Sequence, residues 1–116
     1  MLFGGGDRDQ FLGCPTCDAI TSDSVCNNLG RHGNSFNATS IWNPLGQYGN
    51  QLSRLSPWNA IASTPPAIVD GDGKFYGFFT VNPTFRQRTQ ISLFVKLLDF
   101  VGQRGDPEDG RKIFCQ

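Results

Sequence analysis

Residues 24–39, SVCNNLGRHGNSFNAT, and residues 40–55, SIWNPLGQYGNQLSRL, are identical at six aligned positions: Ser24/Ser40, Asn27/Asn43, Leu29/Leu45, Gly30/Gly46, Gly33/Gly49 and Asn34/Asn50. Val25/Ile41, His32/Tyr48 and Phe36/Leu52 match in type, and a truncated third copy, SPWNAIA, occupies residues 56–62. No other feature restricts the fold as much, because a fixed period means that one supersecondary unit is reused.

The residue types say what the unit is. Asn and Ser close local turns by bonding side chain to backbone, and Gly accepts the positive φ that other residues resist. Each SxxNxLGxxGN unit therefore reads as a compact pair of turns, with one apolar residue and one aromatic or Cys free to point inward. Solenoids normally need three or more complete units to bury a continuous core. The expectation is accordingly a loop-rich layer packed on the C-terminal half.

In that half, PPAIVDGDGKFYGFFTV places an apolar run, a DGDG turn and an aromatic run in succession, which predicts a β-hairpin over about 66–81. Both faces of its second run are apolar, predicting a strand buried on both sides. From Thr89 the spacing of Ile91, Phe94, Val95, Leu98 and Val101 becomes helical, with Thr89 placed to cap the start and Gly102 the end of a helix over about 89–101. The fold class is α+β: one small domain over 11–116, after a Gly-rich N-terminal tether at 1–10. Hydrophobic residues make up only 38% of the chain, against 14 Gly and 7 Pro, so ten Phe must supply much of a small aromatic core.

Ten basic and ten acidic side chains cancel, with no long block of either sign. The positive field that draws a protein to nucleic acid is missing. No apolar run approaches the roughly 20 residues that a membrane-spanning helix needs, and MLFGGGDRDQ has neither the charged nor the apolar region of a secretory signal, so either the protein stays in the cytoplasm or the numbered chain begins after a removed leader. FLGC at 11–14, the successive Ser-x-x-Asn units and PPAIVDGDGKFYGFFTVN at 65–82 resemble bacterial exported proteins of unknown function that repeat a Ser-x-x-Asn-Pro-x-Gly-x-Tyr-Gly motif. The resemblance covers about residues 11–82 and implies an extracytoplasmic location, whether periplasmic, secreted or at the cell surface, with the leader outside the numbered chain. It implies no activity.

Cys14, Cys17, Cys26 and Cys115 are the strongest chemical feature. An even number of cysteines in a small chain with a thin core reads as two structural disulfides, with three pairings open and Cys115 stapling the tail to the N-terminal region. Two other readings compete. CPTC is a Cys-x-x-Cys, and STPPAIVDGDGKFYG resembles the Thr-Pro loop and hairpin of thioredoxin-like proteins; that resemblance makes Cys14 the attacking thiolate and Pro65 its contact. The residues around CPTC supply neither the preceding strand nor the following long helix of that fold. Cys14, Cys17, Cys26 and His32 could instead bind zinc, but their spacing is not that of the usual knuckle, and in the repeat Cys26 aligns with Trp42 and Trp58, and His32 with Tyr48.

The remaining motifs are weaker. Asp70 and Asp72 do not fit a calcium loop, which needs further oxygens, a Gly at position six and a Glu at twelve. Asn37-Ala38-Thr39 fits a glycosylation sequon. Trp42, Tyr48 and Trp58 would form a stacking platform for a ligand if exposed, although a chain poor in aliphatics needs such rings inside. His32 is the only histidine and no GxSxG occurs, so no hydrolase constellation stands out. The reading is a non-catalytic exported module, stabilised by disulfides and needing no cofactor, that meets an unidentified protein or cell-surface ligand; a thiol-disulfide redox protein and a zinc module are the alternatives.

Overall fold

A computed structural model describes residues 1–116. Four short strands, β1 (Leu2–Gly4), β2 (Gln10–Gly13), β3 (Ala67–Val69) and β4 (Phe75–Phe78), form one antiparallel sheet in the order β2-β1-β3-β4. Two helices follow, α1 (Ser92–Arg104) and α2 (Pro107–Phe114). The result is a small α+β domain.

The N-terminal residues are no tether. β1 is an inner strand that pairs with β2 through Phe3 and Phe11 and with β3 through Leu2 and Ile68. Leu2 and Leu12 are fully buried. The glycines that suggested flexibility serve geometry instead: Gly5, with φ of 91°, turns the chain from β1 toward β2.

The hairpin forms where its turn chemistry places it. The Asp70 carboxylate accepts the backbone N–H groups of Asp72 and Lys74, both at 2.9 Å, and the Tyr76 hydroxyl at 2.8 Å. These bonds, the Lys74 N–H foremost and then the Tyr76 hydroxyl, hold the Asp70 carboxyl below its ordinary range. β4 is an edge strand, however, and Phe75 and Tyr76 stay partly exposed rather than buried on both faces. Gly77, with φ of 99°, lies where a Cβ would meet the Thr89 backbone at 2.7 Å, so the edge of β4 is covered by the segment leading to α1.

α1 buries Phe94, Leu97, Leu98 and Val101, an i, i+3, i+4, i+7 stripe. It runs through Gly102 and ends at Gly105, which takes the left-handed conformation with φ of 77°. Thr89 lies ahead of the helix, its hydroxyl accepting the Ile91 N–H at 3.2 Å. The tail is helical: the Asp106 carboxylate accepts the Glu108 N–H at 3.0 Å and Pro107 occupies the first turn. Gly110 lets α2 approach α1, since a Cβ there would come within 2.6 Å of Val101.

Residues 18–62 carry neither helix nor strand. They join the sheet beyond β2, where Cys14 and Ser24 form a parallel bridge, and reach the C-terminal half where the Val81 N–H donates to the Pro57 carbonyl at 2.9 Å. Val25, Ile41, Trp42 and Trp58 enter the same core cluster as Leu2, Ile68, Phe79 and Phe94.

Candidate functional site

The repeated region is a run of β-turns closed twice, once by backbone and once by side chain. In ten of them, a Ser or Asn oxygen accepts the N–H two residues on, at 2.8 to 3.1 Å, from Cys26 to Ser24 through Ile61 to Asn59. Backbone bonds from residue i+3 to residue i, such as Asn43 N–H to the Ser40 carbonyl, run alongside in nine of the ten, all but the turn that starts at Ser56. Backbone groups that no helix or sheet satisfies are thus paired locally.

Ser and Asn divide the work by environment. Ser24, Ser40 and Ser56 are fully buried and precede the pairs Val25-Cys26, Ile41-Trp42 and Pro57-Trp58, which turn toward the core. Asn27, Asn43 and Asn59 use both halves of the amide. Oδ1 accepts the N–H of Leu29, Leu45 or Ile61, while Nδ2 donates to the carbonyl six residues back, at Thr21, Asn37 or Ser53, at 3.1 to 3.2 Å. An Asp could accept but not donate, so the amide is required at these three positions.

Each of these Asn side chains joins two corners, and both corners end in an exposed apolar residue. Ile20, Phe36 and Leu52 tip one row; Leu29, Leu45 and Ile61 tip the other. All six are 88–95% exposed. Phe36 and Leu45 line one concavity of about 300 Å³, together with Pro44, Asp106 and Glu108, which brings the middle members of the two rows together.

The aromatic residues of the unit do the opposite. Trp42, Tyr48 and Trp58 are 3%, 6% and 3% exposed, so they form no stacking platform at the surface. The indole N–H groups of Trp42 and Trp58 donate to the Val25 and Ile41 carbonyls at 2.7 and 2.6 Å, and their rings stack with centroids 5.5 Å apart. Tyr48 packs beneath β1 and β2, where burial and then the Asp9 carboxylate push its hydroxyl pKa up. His32 is also buried, edge-on to Phe11 at 4.8 Å and 3.4 Å from the Thr39 carbonyl. Burial pushes its imidazole below the ordinary value, against smaller opposing pulls from Thr39 and Asp23.

Two disulfides close the molecule: Cys14–Cys17, three residues apart, and Cys26–Cys115, eighty-nine apart. With the sulfurs so engaged, Cys14, Cys17, Cys26 and His32 are not gathered as a ligand set, and no group of three or more His, Cys, Asp or Glu side chains converges. Pro65 stands away from the Cys14–Cys17 bond. β2 and β3 run the same way on either side of β1, and the pairings set Gly13 level with Ile68 and Phe11 level with Ala67. Cys14 therefore follows one end of the sheet and Pro65 precedes the other, where its carbonyl accepts the Arg8 Nε at 3.0 Å. A concavity of about 400 Å³ does open beside Cys14, lined by Pro15, Thr16, Ile68, Tyr76 and Phe94 among others.

The two apolar rows were within reach of the sequence. Ile20, Phe36 and Leu52 recur at sixteen residues, as do Leu29, Leu45 and Ile61, and the unit extends back through Thr21 and Asp18, which align with Asn37 and Asn34. Identity hides this earlier half-unit; turn-forming chemistry reveals it. Comparison of the chain with protein-family models, curated proteins and solved structures finds no match.

Proposed function

We propose that the chain is a small non-catalytic module of the bacterial cell exterior, akin to the exported proteins its Ser-x-x-Asn units resemble, that binds through the outward face of those units. One observation carries this reading: six apolar side chains stand almost fully exposed on turns that are themselves held by side-chain hydrogen bonds and tied to the helices by Cys26–Cys115. Apolar residues displayed on a fixed frame form a contact surface. The disulfides are compatible with an oxidising compartment, and no helix is long and apolar enough to cross a membrane.

The Cys14–Cys17 bond with its neighbouring concavity supports a second reading, in which this pair exchanges disulfides with a substrate. Graded dithiothreitol separates the two. The module reading predicts that both bonds resist mild reductant and that the protein does not accelerate reduction of a disulfide substrate such as insulin. Selective opening of Cys14–Cys17 with catalytic turnover would replace it with the redox reading.

A further inference from the structure

We infer that the face bearing Ile20, Leu29, Phe36, Leu45, Leu52 and Ile61 is a self-association surface, occupied by the same face of a second copy of this chain. The inference deepens the binding-module reading by naming the partner. Six large apolar side chains at roughly 100–150 Å² each present on the order of 600–900 Å², above the roughly 300–600 Å² of the largest patch on a typical monomer and close to the ~800 Å² per partner of a stable dimer.

The character of the face selects the partner. Each exposed residue is the second central residue of its turn, and the first central residues are Ala19, Asn28, Ser35, Pro44, Gln51 and Ala60. None of these twelve positions carries a charge, and the side chains that share the concavity of Phe36 and Leu45 include the Asp106 and Glu108 carboxylates, which repel an anionic headgroup. The chain's formal net charge is zero, so two copies do not repel each other at long range. The rows repeat every sixteen residues in step with the stacked tryptophans, and side chains spaced this way interdigitate best with a surface of the same spacing. The chain supplies that surface itself. A two-fold axis through the middle rung, Phe36 and Leu45, sets three rungs of one copy against three of the other and leaves no unpaired row.

Sedimentation equilibrium from about 1 to about 100 µM tests this, because a dimer assembled by mass action shows its mass rising with concentration. The expected limiting mass is twice that of one chain. Leu45→Asp and Leu45→Lys should each remain folded, since the side chain is 90% exposed, and each should sediment as a monomer. Their equimolar mixture should recover the dimer, because opposite charges then meet across the axis. A wild-type chain that stays monomeric throughout, or a dimer unchanged by Leu45→Asp, overturns the inference. So does a monomer that co-sediments with neutral phosphatidylcholine vesicles, which would assign the face to lipid. Resistance of the disulfides to mild reductant is scored separately, so failure of the dimer and failure of the module reading are distinguishable.

Discussion

The indole of Trp58 lies on that of Trp42, centroids 5.5 Å apart at an interplanar angle of 22°, and each N–H reaches back seventeen residues to a carbonyl of the preceding unit. The stack joins one unit to the next through both apolar contact and hydrogen bonding. Trp58→Phe keeps most of the contact but strands the buried Ile41 carbonyl. We expect a loss of ~1–3 kcal/mol in urea unfolding, as for other buried polar groups left unpaired.

The division of labour among the asparagines gives a sharper contrast. Asn43→Asp keeps the acceptor for Leu45 but removes the donor to Asn37 and sets a buried carboxylate against that carbonyl, for an expected cost of ~2–3 kcal/mol. Asn50 only accepts, from Leu52, so Asn50→Asp should leave stability within ~0.5 kcal/mol of wild type. Equal costs for the two variants would contradict the assigned roles.

How far such roles could be read beforehand depends on what each residue answers to. The unit, the DGDG turn and the α1 stripe were legible because local chemistry sets them. β1 was not: LFGGG carries no strand period, and Leu2 becomes strand-like only because β2 and β3 arrive on either side. Gly102 looked like a helix end, yet the chain continues to Gly105, and Asp106-Pro107 opens a second helix that Gly110 had obscured. A glycine that permits close packing, as Gly110 does against Val101, is indistinguishable in sequence from one that serves a turn. The exposed rows went unread because an apolar residue in a small chain is assigned to the core by default, and only the turn geometry shows which central residue faces out.

The two disulfides should differ in their effect on stability. Closing a loop of about ninety residues restricts the unfolded chain by about 4–5 kcal/mol, against ~2 kcal/mol for a three-residue separation. Cys26→Ser with Cys115→Ser should therefore lower the urea midpoint far more than Cys14→Ser with Cys17→Ser. Thermal or urea unfolding of the two double variants checks the order.

Acid should act through His32. Burial lowers its proton affinity in the fold, so below its ordinary pKa of about 6.5 the unfolded chain takes up the proton first. Stability is then complete above about pH 6.5 and declines as the pH falls below it. His32→Tyr, which installs the residue found at position 48, should remove that part of the slope. A wild-type unfolding free energy that stays flat from about pH 7 to about pH 5 would contradict the assignment.

Covalent closure of a turn-built layer onto a small sheet and two helices is what holds this fold together. Peptide mapping of the unreduced protein by mass spectrometry tests it most directly. The predicted result is Cys14 linked to Cys17, Cys26 linked to Cys115, and no free thiol. Any free thiol in the protein as isolated, or a bond joining the Cys14–Cys17 segment to Cys26 or Cys115, would contradict it.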